Sequence, residues 1–192
     1  SSVDIISQAT GSTLTLGGVI ADAGASSYSP GLQVGTSINV GTVVFKGVNT
    51  FAGGAAINAG TLSAASSTAL GVGSVSVGVA TLDLSYGGTV TVGTTLTMLN
   101  GASITNSANT SNLYVTGAAT IFGSVSTYGN QTYNGAVILS GNSTLNTNTN
   151  GSLVLNSTVN SATGAETFTI TNGSGSVTFN GNVGLGSGTA LG

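Results

Sequence analysis

The sequence predicts an all-β chain, a right-handed parallel β-helix (β-solenoid) with coils of about 22 residues. Three observations carry that expectation. Apolar and small polar residues alternate in short runs from end to end. Those runs are closed by Gly, Asn and Ser. One short pattern returns at offsets of 22 and 24. An antiparallel β-sandwich is the alternative, because Asn-Gly pairs suit two-residue hairpins as well as solenoid corners.

The runs begin with Thr13-Leu14-Thr15-Leu16 and continue through Ser74-Val75-Ser76-Val77, Thr81-Leu82-Asp83-Leu84 and Thr89-Val90-Thr91-Val92. Thr95-Leu96-Thr97-Met98, Thr167-Phe168-Thr169-Ile170 and Ser176-Val177-Thr178-Phe179 complete the series. A period of two places Leu, Val and Phe on one face of a strand and Thr or Ser on the other. Turn chemistry follows each run, as at Gly87-Gly88, Asn100-Gly101, Asn134-Gly135, Asn150-Gly151, Asn172-Gly173 and Asn180-Gly181. Helix is disfavoured, since the usual solvent-side helix formers are nearly missing and β-branched residues abound.

The internal repeat links distant segments. Tyr133-Asn134-Gly135-Ala136-Val137 is echoed by Leu155-Asn156-Ser157-Thr158-Val159 and by Phe179-Asn180-Gly181-Asn182-Val183. Such a period points to stacked repeats, and a coil of three short strands and three corners takes about 22 residues. We expect residues 1–192 to form a single solenoid segment of a longer repeat protein. An excursion at 21–31, rich in Ala, Ser and Gly and holding the one proline, Pro30, interrupts it. The polar stretch from Asn142 to Gly151 is expected to be a corner or a ladder of stacked Asn side chains.

Composition narrows function. Of 192 residues only five are charged, Asp4, Asp22, Lys46, Asp83 and Glu166, for a net charge of −3. That is 3%, against about 25% in an ordinary domain. Hydrophobic residues make 40%, so a core is affordable and the pattern is not that of a disordered chain. Neither the apolar run of a membrane helix nor the Gly-X-Y period of collagen is present. With no His, Cys or Arg, the sequence offers no zinc site and no basic nucleic-acid surface. The Gly-Gly-x-Gly-x-Asp series of calcium-binding repeats is also missing. We therefore expect no catalytic residue, no metal or cofactor site and no enzyme. Asp83 reads as a solvated strand residue or turn contact, Lys46 as an edge or solubility charge, and Glu166 as an exposed residue preceding a strand. Asp4 and Asp22 carry no pattern.

Two weaker surface readings remain. Tyr28, Tyr86, Tyr114, Tyr128 and Tyr133 could stack on sugars, but are more simply strand residues with their hydroxyls at water. Ranks of Thr on a flat face could order water and bind ice. The runs at Thr13, Thr89, Thr95 and Thr167 do not recur at the coil period, however, and β-propensity accounts for Thr equally well.

Residues 49–84 carry a more specific signal: Asn49-Thr50-Phe51-Ala52-Gly53-Gly54-Ala55-Ala56-Ile57-Asn58-Ala59-Gly60-Thr61-Leu62, then Ala69-Leu70-Gly71-Val72-Gly73, then the strand at Ala80-Thr81-Leu82-Asp83-Leu84. This resembles the passenger-associated β-strand repeat of bacterial autotransporters, with Ala55 where Thr is usual. Residues 112–192, through Val115-Thr116-Gly117, Gln131 to Val137 and Leu155 to Ser161, are similar to tandem repeats of large haemagglutinin-like exoproteins. The resemblance implies a secreted, non-enzymatic structural or adhesive segment at the bacterial outer cell surface. Its partners would be neighbouring repeats, another copy of itself, or a host-cell or surface ligand, with no membrane insertion in this segment. The alternative is a self-assembling subunit of an extracellular fibre or surface layer, since no cap is evident at either end.

Overall fold

The computed structural model describes residues 3–5, 9–22, 31–36, 41–108, 110–148 and 150–184. Among them there is no helix, and every strand pairing is parallel. Parallel pairing throughout removes the antiparallel sandwich. The chain is a β-solenoid with coils of ~22 residues. Its strands stack in three columns, each forming one face of the rod.

The first face stacks β1 (Val3–Ile5), β3 (Leu32–Val34), β5 (Ala55–Ile57), β7 (Val75–Val77) and β10 (Leu96–Met98). It continues through the first half of β13 (Ala119–Ser126), the first half of β15 (Val137–Asn146), and β17 (Val159–Ser161). The second face stacks β2 (Thr13–Leu16), β4 (Thr42–Phe45), β6 (Thr61–Ala64), β8 (Thr81–Leu84) and β11 (Ser103–Thr105), then the second halves of β13 and β15, then β18 (Phe168–Thr171). The third face begins later, with β9 (Thr89–Val92), β12 (Asn112–Val115), β14 (Gln131–Tyr133), β16 (Leu153–Leu155) and β19 (Val177–Phe179).

Alternation decides which side chains enter the rod. Each β-strand sends successive residues to opposite faces, so β4, β8 and β12 show the pattern half-buried, buried, half-buried, buried. Because coils pair in register, inward residues stack on their counterparts. Leu62, Leu82 and Ile104 form one such file on the second face, all fully buried. Ile57, Val77 and Met98 form another on the first. At about 25 cal/mol per Å² of apolar surface removed from water, these files supply the main stabilisation.

The repeat seen in the sequence is the coil itself. Tyr133 pairs with Leu155 and Leu155 with Phe179, while Val137 pairs with Val159 and Val159 with Val183. Elsewhere the step varies: it is shorter from Ala119 to Val137 and longer from Val3 to Leu32. The variation falls in the corners. The excursion expected at 21–31 lies largely outside the described residues, at positions 23–30.

Two kinds of corner are visible. In β13 and β15 the strand runs from the first face into the second without a break, and Gly123 (φ 99°) takes the bend where the register shifts. At the corner between the second and third faces, backbone lies directly on backbone. A Cβ on Gly151 would overlap the Gly129 carbonyl oxygen, and one on Gly175 would overlap that of Gly151. Of the two forms expected for 142–151, a corner or an Asn ladder, the described residues show the corner, at its second half. Asn142 to Asn146 belong to β15, and the next residues turn the corner with Asn148 in the left-handed region (φ 49°).

Two substitutions test this packing. Leu82→Ala removes a fully buried side chain and is expected to cost about 2–5 kcal/mol. Gly151→Ala, a change of one methyl at the corner, is expected to cost about 1–3 kcal/mol through overpacking. Urea midpoints measured by circular dichroism check both.

Candidate functional site

The ionisable residues come first, since chemistry would need them. Asp22 accepts the Ala52 amide N–H at 2.9 Å. Lys46 is exposed at the corner after β4. Asp83 points outward from β8 and is held by the next coil: Ser107 donates to it through its backbone N–H at 2.8 Å and its hydroxyl at 2.6 Å. That is the turn contact expected of it. The Asp4 side chain lies outside the described residues. Among those described, no three Asp, Glu, His or Cys residues gather in a way that could hold a metal ion.

Glu166 departs from expectation. It is only 6% exposed, not solvated. Its carboxylate folds back into its own loop, where Thr163, Gly164 and Ala165 direct backbone N–H groups at it from 3.3, 3.1 and 3.2 Å. The Thr163 hydroxyl donates at 2.7 Å, and the Ser161 hydroxyl also donates. Gly164, at φ 87°, makes that curl of amides feasible. The hydroxyl bonds from Ser161 and Thr163, with the backbone amides, hold the Glu166 carboxyl down to about 2. Every bond it makes is local, so Glu166 serves as a loop clamp. Hydrophilicity suggested exposure; the Ser-x-Thr-Gly-x-Glu spacing was the signal for the clamp.

The four tyrosines among the described residues do not form a platform. Tyr133 is fully buried, contrary to the expectation of a hydroxyl at water, because the phase of Gln131-Thr132-Tyr133 turns Gln and Tyr inward together. Its hydroxyl donates to Gln131 Oε1 at 3.0 Å, and Gln131 Nε2 donates to the Asn146 carbonyl at 2.8 Å. Burial pushes the Tyr133 phenol far up, so it stays a donor. Tyr114 lies on the third face and accepts from the Asn134 amide. Tyr86 and Tyr128 are exposed at corners, and Tyr28 lies outside the described residues.

The motif at 49–84 is likewise structural. Asn49 is buried and ties three coils: it accepts the Ile20 N–H at 2.9 Å and donates to the Ala69 carbonyl at 2.7 Å. Phe51 is buried in the core, with its ring against Gly71.

What the fold does build outward is ranks of like residues. Asn134, Asn156 and Asn180 form an amide ladder: Asn156 donates to Asn134 at 2.8 Å and Asn180 to Asn156 at 2.7 Å. The second face carries a longer series. Thr13, Thr42, Thr61, Thr81, Ser103, Ser124, Thr144 and Thr169 lie one above another, a hydroxyl in each coil. Beside them run Thr15, Val44, Ser63, Asp83 and Thr105, and in the later coils Ser126, Asn146 and Thr171. Hydroxyls therefore recur coil by coil on this face, although the four Thr runs themselves do not. The runs at Thr89 and Thr95 lie on the third and first faces and those at Thr13 and Thr167 many coils apart on the second, so unequal coil lengths conceal the rank from a count along the chain.

The chain matches no protein-family model, no curated protein and no solved structure. No helix among the described residues is long and apolar enough to cross a membrane.

Two measurements probe these contacts. A carboxylate held below its ordinary 4.5 stabilises the folded chain above that pH and loses its contribution as pH falls towards about 2. Melting temperature should therefore decline over that window in the native chain and decline less in Glu166→Gln. Asn156→Ala breaks the amide ladder on both sides, and a loss of about 1–2 kcal/mol is expected from urea unfolding, in line with two exposed net hydrogen bonds.

Proposed function

We propose that this chain is a non-enzymatic rod segment of a secreted bacterial surface protein, one that projects or adheres. The observation that carries the reading is the use made of polar groups. Glu166 and Asp83 are spent on holding loops, Asn49 and the Asn134 ladder on joining coils, and the second face carries an outward rank of uncharged hydroxyls. Such a rod offers length and repetition rather than a reactive centre. The resemblance of residues 49–84 to autotransporter passenger repeats supports the outer cell surface as its location. It also supports neighbouring repeats, or a surface on another cell, as its partners.

A self-assembling fibre or layer subunit is the second reading. It is favoured by the scarcity of charge: with five charged residues in 192, copies of the chain can lie against one another without strong repulsion.

Negative-stain images and size-exclusion chromatography over a range of concentrations separate the two. Short single rods at every concentration are expected. Long filaments that grow with concentration would replace the rod reading with the fibre. Immunogold labelling of intact producing cells is expected on the outer surface; label confined to the cell interior would sink both.

A further inference from the structure

The first rank of the second face is the longest uniform feature of the rod exterior. Its eight positions are all Thr or Ser, whereas the outward rank of the first face reads Gln33, Ala56, Ser76, Thr97, Thr120, Ile138 and Asn160 from β3 onward. The central outward rank of the third face reads Thr91, Tyr114, Thr132, Val154 and Thr178. β-Propensity acts on all three faces alike, so it does not explain why hydroxyls fill one rank without exception.

The geometry of that face is a grid. Rungs repeat about every 4.8 Å along the rod, the spacing of hydrogen-bonded strands, and the two ranks lie about 6.6 Å apart, two residues along a strand. Six of the eight residues in the first rank are Thr, stiff at χ1, so those hydroxyls are held in place before anything binds. The hydroxyls of Thr42, Thr61, Ser124, Thr144 and Thr169 have no hydrogen-bond partner among the described residues. The sole charge in the two ranks, Asp83, is occupied by Ser107.

We propose that the second face binds ice, taking an ordered water lattice as its ligand. A rank of uncharged hydroxyls, one in each coil, offers evenly spaced anchoring points to water that is already periodic, and little entropy is lost in ordering the protein side. A neutral polysaccharide is the competing periodic ligand. Sugar faces are ordinarily met by aromatic rings, and neither rank contains one. The inference goes beyond the surface-rod reading and does not depend on it, since the rank is formed by residues of this chain alone.

The test is ice growth in the presence of the intact purified chain, with three variants. The native chain is expected to facet ice crystals and to open a gap between melting and growth temperatures. Thr61→Tyr and Thr144→Tyr place bulk in two separate rungs of the rank, and each is expected to abolish the gap. Thr120→Tyr on the first face is expected to retain it, with circular dichroism showing the same β-structure in all. Ice that grows freely at its melting point with the native chain overturns the proposal. So does a loss in Thr120→Tyr equal to that in Thr61→Tyr. Co-sedimentation with crystalline cellulose or chitin that Thr61→Tyr abolishes, without any effect on ice, assigns the face to polysaccharide instead and overturns it too.

Discussion

Parallel hydrogen bonding between successive coils is the constraint from which the rest follows. When each strand pairs in register with the strand one coil earlier, every residue acquires a fixed neighbour of its own position, about 4.8 Å away. The consequence is that residues are chosen as columns. Leu62 over Leu82 over Ile104 fills space without a gap. Asn134, Asn156 and Asn180 can each donate and accept along the axis, so their amides satisfy one another. Gly129, Gly151 and Gly175 share a column because only a missing Cβ allows the backbones to lie that close.

The scarcity of charge follows from the same constraint. Two like charges at one strand spacing repel by about 1 kcal/mol even at the dielectric constant of water, and by more at a protein surface. A column that carried Lys or Glu in every coil would accumulate that cost at each step. Ser, Thr and Asn hydrate the exterior without it. The charges that remain are scattered: Asp83 has Ser63 beneath it and Thr105 above, and Glu166 has been drawn out of the strands into a loop of its own.

Much of this was legible in the sequence, and the exceptions are instructive. The strands were visible because alternation is a local property. The stacking register was visible wherever the coil length stayed nearly even, as from Tyr133 to Leu155 to Phe179. It was hidden on the second face, where a long step from Thr13 to Thr42 is followed by a short one from Thr42 to Thr61. A count at fixed period cannot gather those hydroxyls into one rank; only the pairing does so. Tyr133 and Gln131 were hidden for a different reason. A Gln facing the core contradicts simple hydrophobicity, and its burial depends on acceptors contributed by Val125, Thr127 and Asn146, which no local pattern announces. Glu166 is different: hydrophilicity pointed to exposure, while the local Ser-x-Thr-Gly-x-Glu spacing held the signal for its clamp.

The stacking also sets how such a rod bears load. Its hydrogen bonds point along the axis, so tension applied at the two ends pulls on one coil interface at a time instead of on all of them in parallel. A terminal coil that peels away releases about 22 residues of chain, roughly 70–80 Å when extended. The coils behind it keep their files of buried Leu, Ile and Val intact. The rod is then a reel of small, similar catches: it lengthens in steps under force and dissipates work at each one.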